Sequence, residues 1–141
     1  MQQILVPFDG SPNALRAVEY AALLAGLLSQ TPGIDLVVVH DPVTPRLHAG
    51  LTHAEISGML NDEGERILQP ARGILDAAHL PFTTTHLTGS VPHEIDRHAR
   101  TSGATAIVMG TRGLGRVAGA LLGSAAAGVV RLAHVPVTLV K

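Results

Sequence analysis

Short strand-like runs, largely apolar at 3–6, 34–39, 105–109 and 137–140 and rich in threonine at 82–87, alternate along this 141-residue chain with longer stretches whose apolar residues recur at helical spacing. Strict strand–helix alternation leaves few folds open. Neighbouring strands joined by a helix must run parallel through a right-handed crossover, and the helices must then cover the faces of one sheet. The pattern therefore predicts an α/β chain in the order β-α-β-α-β-α-β-α-β, a five-stranded parallel doubly wound sheet with helices on both faces. Ligands in such sheets sit beyond the carboxyl ends of the strands, where the strand order reverses.

The local signals agree. After the strand Gln3 to Val6, which ends at Pro7, Ser11-Pro12 reads as an N-cap followed by proline in the first turn, leaving Asp9 without a capping duty. Ala14, Ala17, Val18, Ala21, Ala25 and Leu28 then repeat at helical spacing, until Pro32-Gly33 ends the pattern. Ile34 to Val39 is a strand buried on both faces. The proline-rich loop Asp41 to Ala49 leads into a long helix from about Thr52 to His79, with Ile56, Met59, Leu60, Ile67, Ala71, Ile74, Leu75 and Ala78 as its apolar positions. Pro70 predicts a kink or break there. Phe82 to Leu87 is a strand, Gly89 to Pro92 a turn, Pro92 to Thr101 a short helix and Thr105 to Met109 the fourth strand. Ala118, Leu121, Leu122, Ala125, Val129 and Leu132 line the last helix, and Val137 to Val140 closes the sheet.

Composition narrows the function. The chain has no cysteine, which excludes disulfides, thiol catalysis and cysteine-based zinc sites. No apolar run reaches the roughly 18 residues of a membrane span, and M-Q-Q-I-L does not open a leader, so a single cytoplasmic domain spanning residues 1–141 is the expectation. Net charge is −1, yet every acid lies at or before Asp96, and Arg97, Arg100, Arg112, Arg116, Arg131 and Lys141 follow with none. A basic segment of this kind suits an anionic ligand. Nucleic-acid binding would need a denser cationic face and stacking aromatics, and only 2% of residues are aromatic.

The anion signal is the stretch G-T-R-G-L-G-R-V-A-G-A-L-L-G-S from Gly110 to Ser124, directly after the fourth strand. Glycines bring backbone N–H groups against an anion, and the following helix points its positive end at the same place. A P-loop is excluded because it needs an internal lysine and the chain has only the terminal Lys141. Gly113-Leu114-Gly115-Arg116-Val117-Ala118 matches the dinucleotide pattern, but no acid follows to take the ribose. The spacing that remains is G-x2-G-x9-G-[ST], met by Gly110, Gly113, Gly123 and Ser124.

With I-L-V-P-F-D-G-S at 4–11, V-V-V-H at 37–40, Gly89, I-V-M-G at 107–110 and P-V-T-L-V at 136–140, the chain resembles a single-domain universal stress protein of the UspA type over nearly its whole length. The resemblance implies a Rossmann-like sheet of the adenine nucleotide alpha hydrolase-like kind, order 3-2-1-4-5, binding adenosine between strands 1 and 4. Carried over by position, Pro7 and Asp9 border the adenosine, Met109 and Gly110 lie toward the ribose, and Gly113, Gly123 and Ser124 contact the phosphates. Asp41 stands where ATP-binding members often carry an apolar residue against the adenine, and Ala126 where Ser or Thr is frequent. Asp9 either hydrogen-bonds the adenosine or helps hold a divalent ion through water. The implied ligand is ATP, or AMP or ADP, with Mg as a possible companion. The implied role is a stress-response regulator with at most slow hydrolysis, since Asp9 and Asp41 are the only acids near the strand ends. An interaction protein that keeps the fold and a dimer without binding nucleotide is the competing expectation. The apolar edge strand Val137 to Val140 predicts a homodimer.

The histidines read as structural. His93 and His98 resemble a zinc-protease pair with one residue too many, so their imidazoles would point about 140° apart on a helix. His40 at a strand end is expected to be buried and hydrogen-bonded, while His48 and His53 fall in the loop. Ser124 has no histidine and carboxylate at a recognisable spacing, so no nucleophilic triad is expected. Arg112 and Arg116 fit solvated charges and phosphate partners equally.

Overall fold

The computed structural model describes residues 2–42, 50–114 and 121–141. Its elements are β1 (Gln3–Pro7), α1 (Pro12–Leu27), β2 (Gly33–His40), α2 (His53–Ala77), β3 (Phe82–Thr88), α3 (Val91–Ser102), β4 (Ala106–Gly110), α4 (Ser124–Leu132) and β5 (Val137–Val140). The strands form one parallel sheet in the order β3-β2-β1-β4-β5. The chain leaves β1 toward β2 on one side and returns to β4 on the other, so the reversal falls between β1 and β4.

Both faces of the central strands are buried, which is why β1 and β2 read as continuous apolar runs rather than alternating ones. Ile4, Val6, Phe8, Ile34, Leu36 and Val38 pack with α1 and α2 on one side. Leu5, Val37, Ile107 and Met109 pack with α3 and α4 on the other. Each fully buried leucine or isoleucine of these layers contributes roughly 1.5–3 kcal/mol of hydrophobic stabilisation. The helix positions facing the first layer are small: Ala14, Ala17, Ala21 and Ala25 lie at 0–4% exposure, so α1 sits close to the sheet.

Asp35 is a carboxylate inside the β2 run, 3% exposed. A buried carboxylate is tolerated only where donors converge on it. Here Thr83 Oγ1 (3.1 Å) and Thr85 Oγ1 (2.9 Å) from β3 donate to Oδ1, and His98 Nε2 of α3 lies 2.7 Å from Oδ2. The threonines of the edge strand thus serve β2, and α3 is tied down by one of its histidines.

Several boundaries differ from the sequence expectation. Most strands gain a residue or two; α3 begins at Val91, with Pro92 in its first turn. α2 runs unbroken through Pro70. Pro70 faces solvent, while Leu68, Ala71 and Leu75 hold the helix to the sheet on both sides of it. Ser11 caps α1 as expected, its side chain accepting from Ala14 N at 3.2 Å. Leu28 follows the helix and is 45% exposed, and Met59 is 53% exposed, so neither belongs to the core. The larger correction concerns the last helix, which starts at Ser124 with Gly123 as its N-cap. Leu121 precedes the helix at 86% exposure, whereas Ala126, Gly128 and Val129 are buried. The apolar spacing of Leu121 and Leu122 belongs to the loop before the helix. Ala118, Arg116 and His48 lie outside the described residues. No helix among the described residues is long and apolar enough to cross a membrane.

Candidate functional site

At the carboxyl ends of β1, β2 and β4 a cavity of about 270 Å³ opens, walled by those strand ends, by α3 and by the start of α4. All eight residues singled out in the sequence line it: Pro7, Asp9, Asp41, Met109, Gly110, Gly113, Gly123 and Ser124. Arg112 lines it too.

Its two ends differ in chemistry. Toward α4, Gly123 is the N-cap and brings no side-chain cap. The first helical hydrogen bond runs from Ala127 N to Gly123 O, 3.0 Å, which leaves the N–H groups of Ser124, Ala125 and Ala126 without intrahelical acceptors. Such a helix start carries partial positive charge and suits an anion. Gly123 N itself donates to Thr111 O at 2.7 Å, closing the loop beneath the helix. The nearest described atoms to a Cβ on Gly123 are Arg112 Cα at 3.4 Å, Thr111 O at 3.5 Å and Gly113 N at 3.7 Å, all ordinary contacts. Packing therefore does not demand glycine here.

The other end lies over β2 and is apolar. Val37 and Val39 point the same way along the strand, opposite Val91 and Ile95 one helical turn apart on α3. Asp41 continues the Val37, Val39 row at the exposed mouth. Sequence reasoning missed the valines and the α3 pair, although the two-residue spacing 37, 39, 41 and the four-residue spacing 91, 95 carried the signal.

Asp9 sits between the two ends and has more structural work than its sequence position suggested. Oδ1 accepts from Ser11 N at 2.9 Å and Oδ2 from Leu114 N at 3.2 Å. Gly10, with φ +83°, makes the turn between them in a conformation that favours glycine. A Cβ on Gly113 would overlap Asp9 Oδ2, so the glycine is what lets the carboxylate reach the loop. Asp9 thereby holds the loop after β4 against the end of β1.

A second hollow of about 260 Å³ adjoins the first on the α2 side, sharing Phe8, Asp9, Val39, Asp41 and Leu114 and adding His40, Leu60, Glu63 and Ile67. His40 is buried, as expected, but it is not hydrogen-bonded: its Nε2 has no partner among the described residues, and its ring stacks on His86 at 5.9 Å. His86 is held from its other side by Glu65 at 2.9 Å. His53 opens α2 rather than lying in a loop. His93 pairs with Ser90 Oγ while His98 turns inward to Asp35, so the two point at different partners.

Burial lowers the His40 pKa below its ordinary value, the neighbouring His86 adds to this, and Glu63 opposes it. The unfolded chain takes up that proton near pH 6.5, at higher pH than the folded chain does. This contribution to stability is therefore whole above about pH 6.5 and declines as pH falls toward the folded pKa. The urea midpoint should drop between pH 7 and 5.5, and drop less in His40→Leu; equal drops in the two proteins would show that His40 is not the source.

Comparison with known proteins follows the same lines. The model of the universal stress protein family matches residues 1–141. Universal stress protein MJ0531 of Methanocaldococcus jannaschii is 32% identical over 140 residues, covering 99% of this chain and 82% of that protein. Universal stress protein YxiE of Bacillus subtilis is 29% identical over 145 residues, covering 99% and 98%. Among solved structures, a universal stress protein in complex with cAMP superimposes with a TM-score of 0.75 at 26% identity, covering 99% of this chain and 97% of that one. The Archaeoglobus fulgidus universal stress protein in complex with dAMP gives 0.70 at 25% identity, covering 100% and 98%. The chain belongs to the universal stress protein family.

Proposed function

We propose that this protein binds an adenine nucleotide, ATP or else AMP or ADP, in the cavity at the carboxyl ends of β1, β2 and β4, and that it acts as a stress-response regulator. The observation that carries the reading is the start of α4, whose Ser124, Ala125 and Ala126 N–H groups lack intrahelical acceptors and stand in the wall of the cavity beside Gly113 and Gly123, a cradle that fits a phosphate. The complexes of two relatives with cAMP and dAMP support it. Phosphates would rest on Gly113, Gly123 and Ser124, the ribose near Met109 and Gly110, and the base between Pro7 and the valines of β2. Mg would arrive with a triphosphate. Hydrolysis is at most slow: Asp9 is engaged in holding the loop through Ser11 N and Leu114 N, and neither histidine nor lysine stands among the described residues that line the cavity.

Millimolar Mg-ATP should raise the thermal midpoint, since a ligand at 100 times its Kd stabilises by about 2.7 kcal/mol. No shift with any nucleotide would favour the second reading, an interaction protein of the same fold. Either reading places the protein in the cytoplasm and pairs it with a second copy through the free edge of β5, whose Val137–Val140 hydrogen-bonds only to β4 among the described strands. Native mass spectrometry should give twice the chain mass; a monomer at high micromolar concentration overturns the dimer.

A further inference from the structure

Among the described residues that line the cavity, two acids, Asp9 and Asp41, stand against a single basic side chain, Arg112. That balance is poor for an anion. The start of α4 offers backbone N–H groups, but a helix end supplies only about half an elementary positive charge. One phosphate fits such a cradle, whereas a chain of phosphates brings several negative charges beside two carboxylates and calls for a full cation.

Arg112 stands where that cation is needed. Its Cα lies 3.4 Å from the position a Cβ on Gly123 would take, and Gly113 N lies 3.7 Å from the same point, so Arg112, Gly113 and the α4 N-cap converge. The backbone around it is fixed: Gly123 N donates to Thr111 O at 2.7 Å, and Ser11 Oγ lies 3.5 Å from the Arg112 carbonyl. Arg72, Arg97 and Arg100 each hold a carboxylate, of Glu65, Glu94 and Asp96 respectively. Arg112 is exposed, and its guanidinium has no such partner among the described residues, so taking a ligand breaks no existing contact. A guanidinium presents paired N–H donors in a planar fork that matches phosphate oxygens.

We propose that Arg112 is a specificity-determining residue that pairs with the outer part of the ligand's phosphate chain and makes this cavity favour ATP over AMP. The inference rests on the nucleotide-binding reading and deepens it. The backbone cradle takes the phosphate that both nucleotides share, and the exposed arginine beside it takes what extends past the cradle. AMP and ATP carry the same base and ribose, so their ratio isolates the phosphate end.

Isothermal titration of the whole chain with AMP and with Mg-ATP reads this directly. Arg112→Gln should weaken Mg-ATP at least tenfold and leave AMP within about threefold, since a hydrogen bond to a charged group outweighs an ordinary one. Arg112→Lys should recover part of the loss, because it restores the charge without the fork. Higher salt should weaken Mg-ATP more in the native chain than in Arg112→Gln. The melting midpoint without ligand should stay within about 2 °C, as for a surface substitution, so lost binding is not lost folding. A solvated surface charge would leave both affinities unchanged in Arg112→Gln, and a structural role would lower both together. Either result overturns the inference while leaving the nucleotide site standing. Binding of neither nucleotide by the native chain overturns both readings.

Discussion

Gly123→Val should leave a folded protein that binds Mg-ATP at least tenfold more weakly than the native chain, a loss of about 1.4 kcal/mol or more. The backbone at 123 is extended, φ −68° and ψ 163°, a region that β-branched residues adopt readily. Its Cβ would meet neighbours at 3.4–3.7 Å, with no overlap to relieve. Glycine is an acceptable N-cap and valine a poor one, so the replacement costs about 1 kcal/mol of stability, which a folded chain of this size tolerates. What the valine does change is the wall of the cavity: it adds a branched side chain where a Cβ stands 3.7 Å from Gly113 N, beside the α4 N–H groups. Calorimetric titration and the unliganded melting midpoint separate the two effects. Native-like affinity in a folded Gly123→Val protein would place the phosphates elsewhere. Gly123→Ala, which adds one methyl group at an uncrowded position, keeps the test informative if the valine disturbs folding.

The sequence made the strand–helix order and the site legible for different reasons. Sheet strands buried on both faces read as largely apolar runs, so 34–39, interrupted only by Asp35, and 106–109 are visible in the sequence, and their carboxyl ends follow directly. The residues around the cavity came from motif spacing: Gly110, Gly113, Gly123 and Ser124 stand in register after β4, and the structure brings all of them to one hollow with Pro7, Asp9, Asp41 and Met109. The start of α4 was misread because Leu121 and Leu122 continue an apolar period although the chain there has not yet become helical. Periodicity records spacing and not conformation, and only the unoccupied N-cap at Gly123 reveals the boundary. The partners of Asp9 were equally hidden. Its bond to Leu114 N joins residues 105 apart in sequence, and no local pattern announces such a contact. The missing partner of His40 is of the same kind: burial of a strand-end histidine can be anticipated, but whether a donor or acceptor reaches its Nε2 depends on α2 and β3 passing overhead.

Gly110→Ala should destabilise the fold by about 2–4 kcal/mol, although it adds one methyl group at a position with an ordinary backbone conformation. That Cβ would lie 2.9 Å from Asn13 C and Cβ and 3.0 Å from Ala14 N, which is the backbone of the first turn of α1. A flexible side-chain tip can move aside at small cost, but this turn is fixed from several directions. Ser11 caps it at Ala14 N, Asn13 Nδ2 donates to Thr111 Oγ1 at 3.0 Å, and Arg16 Nε donates to the carbonyl of Lys141 at 2.5 Å. Lifting α1 off Gly110 also lifts Ala14, Ala17 and Ala21, which owe their burial to the closeness of helix and sheet. At about 3–4 °C per kcal/mol for a chain of this size, the melting midpoint should fall by roughly 6–16 °C. Gly26→Ala, within α1 itself, supplies the comparison: a Cβ there meets nothing within 4 Å, so the gain in helix propensity should raise stability by up to about 1 kcal/mol. If both substitutions shift the midpoint upward, α1 rests less tightly on β4 than these distances state, and the wall that Ala14 and Gly110 contribute to the cavity is correspondingly looser.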